Sequence, residues 1–170
     1  MHLLNIEQSG ALYDSADAVD LAVPPGDIIC LSSADTDITL FARAARRFAN
    51  IQQDKGERLS VRVANYLSLS HPYSVDLFIE KTCRDAKVII IRLLGGSSYW
   101  RYGAEQFHRL AMETGIVLIL VSGDGKSDFE LDQLSTVSPD VCTASAGYLD
   151  AGGAQNADRL LDFLNKLANT

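Results

Sequence analysis

Cysteine, proline, histidine and tryptophan are scarce in these 170 residues: three, four, three and one. The three cysteines, Cys30, Cys83 and Cys142, are odd in number, far apart and without CxxC spacing. That excludes a disulfide framework and a zinc site, and it points to a reducing, cytoplasmic setting. Long apolar runs are missing too. The longest, Ile116 to Val121, is far short of the roughly 20 residues a membrane-spanning helix needs. Met1 to Glu7 carries no basic leader and no apolar core, so no signal peptide is expected. Positive charge is in deficit. Fifteen basic against 22 acidic residues leave a formal charge of −7, which argues against nucleic acid or an anionic membrane as partner. There is no GxGxxG, no GxxxxGK[ST] and no GxSxG, so no nucleotide loop or nucleophile elbow is expected.

What is present is alternation. Short apolar runs read as strands at Leu3–Ile6, Ile28–Leu31, Leu59–Ala64, Val88–Ile91 and Ile116–Val121. The Val88 and Ile116 runs are continuous, as central parallel strands covered on both faces are. Between the runs lie helical patterns. From Asp35 to Asn50 the apolar face is Ile38, Phe41, Ala42, Ala45, Phe48 and Ala49, with Asp35 or Thr36 as N-cap. Arg43, Arg46, Arg47 and Lys55 form its basic outer face. Further helices are expected over Pro72–Asp85, Trp100–Thr114, Phe129–Leu134, Pro139–Leu149 and Asn156–Ala168. Gln8 to Gly26 shows no clear element. This order predicts a single α/β domain over residues 1–170. Its sheet is doubly wound, mostly parallel and of about five strands, with helices on both faces, in the Rossmann or flavodoxin manner.

Ligands of open parallel sheets bind beyond the carboxyl ends of the strands. Four loops meet that rule: Ser32–Asp37, Leu67–Pro72, Leu94–Tyr102 and Ser122–Ser127. Gly95 and Gly96 permit positive φ or close approach of a ligand. Tyr99, Trp100, Arg101 and Tyr102 then either grip a flat ligand by stacking and cation–π contact or pack over the sheet end. His71, ahead of Pro72, either handles protons or metal or caps a helix. Asp35, Asp37 and Asp124 are either cation ligands or caps and turn formers. The candidate binding or interface residues are thus Asp35, His71, Gly95, Gly96, Tyr99, Trp100 and Arg101. No catalytic residue and no metal ligand set is assigned.

Three long stretches carry a family resemblance. They are Leu31-Ser32-Ser33-Ala34-Asp35-Thr36-Asp37, Val63 to Leu67 followed by His71 to Thr82, and Val88 to Gly103 with its RLLGGSSYWRYG core. Leu134-Ser135-Thr136-Val137 matches as well. Together they resemble the N-terminal region of the CobN family, the large subunit of aerobic cobaltochelatase, related to the magnesium chelatase H subunit. The resemblance implies ATP-dependent insertion of cobalt into the corrin hydrogenobyrinic acid a,c-diamide during cobalamin biosynthesis, a ligase-type reaction. It implies AAA+-type chelatase subunits that use ATP and magnesium, and further domains of the large subunit, as partners. This domain itself is expected to be non-catalytic and to hold no cofactor. The alternative is a stand-alone, non-catalytic module that binds a small ligand or a protein.

Overall fold

The computed structural model describes residues 17–56 and 59–170. Strands β1 (Ile28–Ser32), β2 (Val61–Asn65), β3 (Val88–Leu93) and β4 (Val117–Ser122) form one parallel sheet in the order β2-β1-β3-β4. Ile28 stands opposite Val88, Cys30 opposite Ile90, and Ile89 opposite Leu118, which fixes the register across the centre. Four strands, not about five, lie among the described residues. The remaining expected strand, Leu3–Ile6, lies outside them.

Successive strand side chains point to opposite faces, so the continuous apolar runs feed two cores. Ile29, Leu31, Ile89, Ile91, Leu118 and Leu120 pack beneath α2 (Pro72–Phe78), α3 (Arg101–Thr114) and α4 (Phe129–Leu134). Ile28, Cys30, Val88, Ile90, Ile119 and Val121 pack beneath α1 (Asp35–Lys55), α5 (Pro139–Ala151) and α6 (Gly153–Ala168). A π-helical turn, Ile79–Cys83, continues α2. Gly115, at φ 79°, ends α3 as its spacing predicts.

Two expectations about packing need correction. The buried face of α1 runs through Asp37, Phe41, Ala44, Phe48 and Gln52, rotated from the expected stripe, and Ala49 is exposed. The rotation follows from Asp37, which is drawn inward by polar partners described below. Arg47 also turns inward along the surface to pair with Asp158 of α6 at 2.8 Å. Second, β4 is an edge strand of the described sheet, although its sequence reads as central. Its outer edge is satisfied by the chain that follows α4. Thr136 N–H donates to the Leu118 carbonyl (2.9 Å), Leu118 N–H donates to Thr136 Oγ1 (2.8 Å), and Leu120 N–H donates to Ser135 Oγ (2.9 Å). These bonds occupy the groups that another strand on that side would need.

Candidate functional site

All four strands run the same way, so the loops after them share one rim. The chain passes from β1 outward to β2 and then returns past β1 to β3. The order of the sheet therefore reverses between β1 and β3, where open α/β sheets place ligands. One buried side chain, Tyr66, organises that position. It follows β2 directly, and its hydroxyl accepts from Ser33 Oγ (3.0 Å) after β1 and from the Leu94 N–H (3.2 Å) after β3. Its ring stacks on Trp100 at 5.0 Å between centroids. The Trp100 indole N–H in turn donates to the Leu69 carbonyl at 3.1 Å. Three loops are thereby stitched together by one tyrosine and one tryptophan.

Of the two roles open to the aromatics, packing holds for Trp100, which is 3% exposed. Gly103 leaves room for it, since a Cβ there would stand 2.2 Å from the indole. Tyr102 packs partly and donates its hydroxyl to Asp76 at 2.9 Å. Desolvation, with the Asp76 carboxylate second, raises its phenol above the usual range. Tyr99 differs: it is 53% exposed on the rim. Gly95 (φ 94°) and Gly96 (φ 80°) both take the positive φ that the sequence suggests. Arg101 is exposed and reaches Glu130 at 3.3 Å and Glu105 at 3.8 Å. Ser97 hydrogen-bonds the same Glu130, which ties the loop after β3 to α4.

His71 is the N-cap of α2; its Nδ1 accepts the Tyr73 N–H at 3.1 Å. Asp35 sits exposed in the first turn of α1, and the N-cap there is Ala34, not Asp35 or Thr36. No side chain caps α1; ahead of it Ser32 Oγ accepts the Ala34 N–H at 3.2 Å and donates to Asp37 at 2.7 Å. Gly95, Tyr99, Trp100 and Arg101 thus share one loop, His71 joins them through the Trp100–Leu69 bond, and Asp35 stands apart on the α1 side.

Sequence reasoning singles out Asp37 and Asp124 but misses Arg92 and Asp150, which complete the charged half of the rim. Arg92, the one ionic residue of β3, bonds Asp37 at 3.1 Å and Asp150 at 2.9 Å. Its side chain is 12% exposed and that of Asp37 is 7% exposed. An arginine inside an apolar strand was the available signal. Beside this network a cavity of about 240 Å³ opens between the loop after β4 and α5, lined by Ser122, Lys126, Asp132, Cys142, Thr143 and Asp150. Burial raises the Cys142 thiol above its ordinary range, so it is a poor nucleophile. The Gly123–Ser127 loop does not fit a nucleotide phosphate. Asp124 fills it, taking hydrogen bonds from the Ser122 hydroxyl and the Lys126 N–H, which also hold its carboxyl below the usual range. Among the described residues no group of three His, Cys, Asp or Glu side chains is placed to hold a metal ion, and no helix is long and apolar enough to cross a membrane.

Fold and rim together define a class: a parallel α/β domain whose strand-end loops share one border. Comparison with known proteins narrows it, because the chain is homologous to a segment of CobN. It is 41% identical over 163 residues to aerobic cobaltochelatase subunit CobN of Sinorhizobium sp, covering 96% of this chain and 12% of that protein. It is 39% identical over 157 residues to the CobN subunit of Pseudomonas aeruginosa, covering 92% of this chain and again 12% of the relative. The chain therefore spans about an eighth of the length of these curated relatives. No family model matches it. Among solved structures, the lactose-specific IIB component domain of the Streptococcus pneumoniae phosphotransferase system aligns with 84% of this chain and 96% of its own, at 14% identity and a TM-score of 0.41.

Proposed function

We propose that this chain acts as the N-terminal domain of a cobaltochelatase large subunit and serves, without catalysing a step itself, the ATP-dependent insertion of cobalt into hydrogenobyrinic acid a,c-diamide. The observation that carries this reading is the 41% identity to CobN across 96% of the chain. Under it, cobalt and the corrin are substrates of the whole enzyme, and ATP with magnesium acts at AAA+-type partner subunits in the cytoplasm. The domain's part is to help enclose the corrin or position partner subunits. The rim supports that role, since it is braced from within by Tyr66 and Trp100 and presents exposed Tyr99 outward. A preorganised surface of this kind binds at low entropic cost.

A chimera tests the proposal. The segment of the Pseudomonas aeruginosa CobN subunit that matches this chain is deleted, or replaced by residues 1–170, and cobalt insertion is assayed with the partner subunits. Deletion should abolish insertion and replacement should restore it. A folded chimera that assembles but inserts no cobalt would reject the reading in favour of a stand-alone binding module.

A further inference from the structure

The two edges of the sheet differ. Beyond β4, Ser135 and Thr136 occupy the outer backbone groups. Beyond β2 no described strand pairs. Ile28 N–H donates to the Ser60 carbonyl at 2.9 Å. By the alternation of a parallel ladder, Ser60, Arg62 and Ala64 therefore face β1, and Val61, Val63 and Asn65 turn their backbone groups outward. An edge of this kind is a template for a further strand. Beside it lies a groove of about 500 Å³ between α1 and β2, lined by Ala45, Ala49, Gln52, Leu59 and Val61. Gln52 is 3% exposed. Its Oε1 accepts the Leu59 N–H at 2.7 Å, which fixes the orientation of the amide, and its Nε2 has no hydrogen-bond partner among the described residues. A buried amide donor left unpaired is costly. An extended segment of polypeptide offers carbonyl oxygens to it and to the edge amides, and apolar side chains to the groove.

The path of the chain says which segment. Val19 N–H donates to Ser74 Oγ at 2.7 Å, in the first turn of α2 and so near the rim. Asp20 pairs with Lys81, and Thr82 Oγ1 donates to the Val23 carbonyl at 2.7 Å. Arg62 Nε then donates to the Pro24 and Pro25 carbonyls at 3.2 and 3.1 Å. Residues 19–26 thus descend over β2 on the α2 face, from the rim to the amino ends of the strands, with Leu21 and Val23 packed on that core. A parallel strand outside β2 ends at the rim, where this descent starts. Residues 7–16 are long enough to join the two, since a chain of that length reaches about 33 Å. The connection onward to β1 then crosses the same face in the same direction as the β2–α2–β3 crossover, and it has the hand that parallel crossovers share. An antiparallel strand there ends at the opposite end of the sheet from Val19. The apolar run ahead of Asp17 is Leu3–Ile6, which lies outside the described residues.

We propose that Leu3–Ile6 docks on the outer edge of β2 as a parallel strand, with apolar side chains in the groove beside Ala45 and Ala49. The proposal does not depend on the kinship with CobN. It gives this segment a part in shaping the rim, because β2 leads directly into Tyr66, whose hydroxyl joins the loops after β1 and β3.

Amide hydrogen exchange, read by NMR on the whole 170-residue chain, tests the proposal. The outward amides of Val63 and Asn65 should exchange slowly. In a chain carrying both Leu4→Pro and Asn5→Pro they should exchange at least about ten-fold faster, because one of the two prolines removes an amide facing β2 whichever way the segment alternates. The amides of Ile89 and Ile90, at the centre of the sheet, should keep their rates. Equal rates at positions 63 and 65 in the two chains would overturn the proposal. So would slow exchange that depends on protein concentration, which would assign the edge to a second copy. A spin label gives a reading that does not depend on how well the proline variant folds. Cys30, Cys83 and Cys142 are buried, so a label on His2→Cys is selective. It should broaden the amides of Gly56 and Val61, at the amino end of β2, more than those of Asn65 and Ser70 at the rim. The reverse order, or no broadening along β2, would overturn the proposal.

Discussion

Beyond β2 and β3 the rim is joined by aromatic stacking and backbone hydrogen bonds; beyond β4 it is joined by ions. The first half buries Trp100 against Tyr66 and turns Leu67 and Tyr99 outward. In the second half Arg92 lies between Asp37 and Asp150 with its Nε left without a partner, and Asp124 folds into its own turn. The difference separates a half held by ring stacking from a half held by buried ions. Apolar side chains gain free energy only when something else displaces their water, whereas ion pairs close within the chain leave little for a partner to gain.

Four substitutions probe that contrast, Asp150→Asn serving as the comparison for Arg92→Met. Trp100→Ala should have the largest effect. It empties the stacked centre of the neutral half and leaves the Leu69 carbonyl without its donor, at a cost of about 3–5 kcal/mol in chemical denaturation. A loss below about 1 kcal/mol would show that the loops hold their shape without the stack.

Arg92→Met comes next. It leaves the Asp37 carboxylate, 7% exposed, with Ser32 as its remaining side-chain partner, and should destabilise by about 3 kcal/mol. Asp150→Asn in the same network should cost less than about 1 kcal/mol, because Asp150 is 38% exposed and its pair is screened by solvent. Equal losses for the two variants would mean that burial of Asp37 does not set the energetics of the ionic half.

Gly96→Val should have the smallest of the three principal effects. Gly96 holds φ 80° and ψ −172°, a region that side chains avoid, and a Cβ there would stand 3.0 Å from Asp128 Oδ2. The expected loss is about 1–3 kcal/mol. An unchanged denaturation midpoint would mean that the loop after β3 tolerates another backbone path, and the neutral half would then not be rigid.

Much of this was legible in the residues. The strands from Ile28, Val61, Val88 and Val117 follow from β-branched runs, and the glycine stops follow from the need for positive φ. The rim followed from topology, because parallel strands deliver all their loops to one edge. The misreadings have particular causes. The face of α1 was assigned by apolarity, and a buried aspartate does not register on that scale. The Ile116–Val121 run reads as central because apolar periodicity reports cover on the two faces and is blind to the edge. Ser135 and Thr136 close that edge with hydroxyls and a backbone amide, which hydropathy scores as loop.

Local chemistry along the chain thus specified which segments extend, which coil, and which four loops carry polar and aromatic groups. It also specified the kinship with CobN, because long ungapped motifs survive as sequence. Folding alone assigned the partners within the loops: Trp100 to Tyr66 and away from solvent, Tyr99 to the surface, and Arg92 to Asp37, 55 residues away. Neighbouring residues of a loop share composition but not direction. Whether a side chain meets water or a ring from another loop depends on contacts between distant segments, which no local pattern encodes.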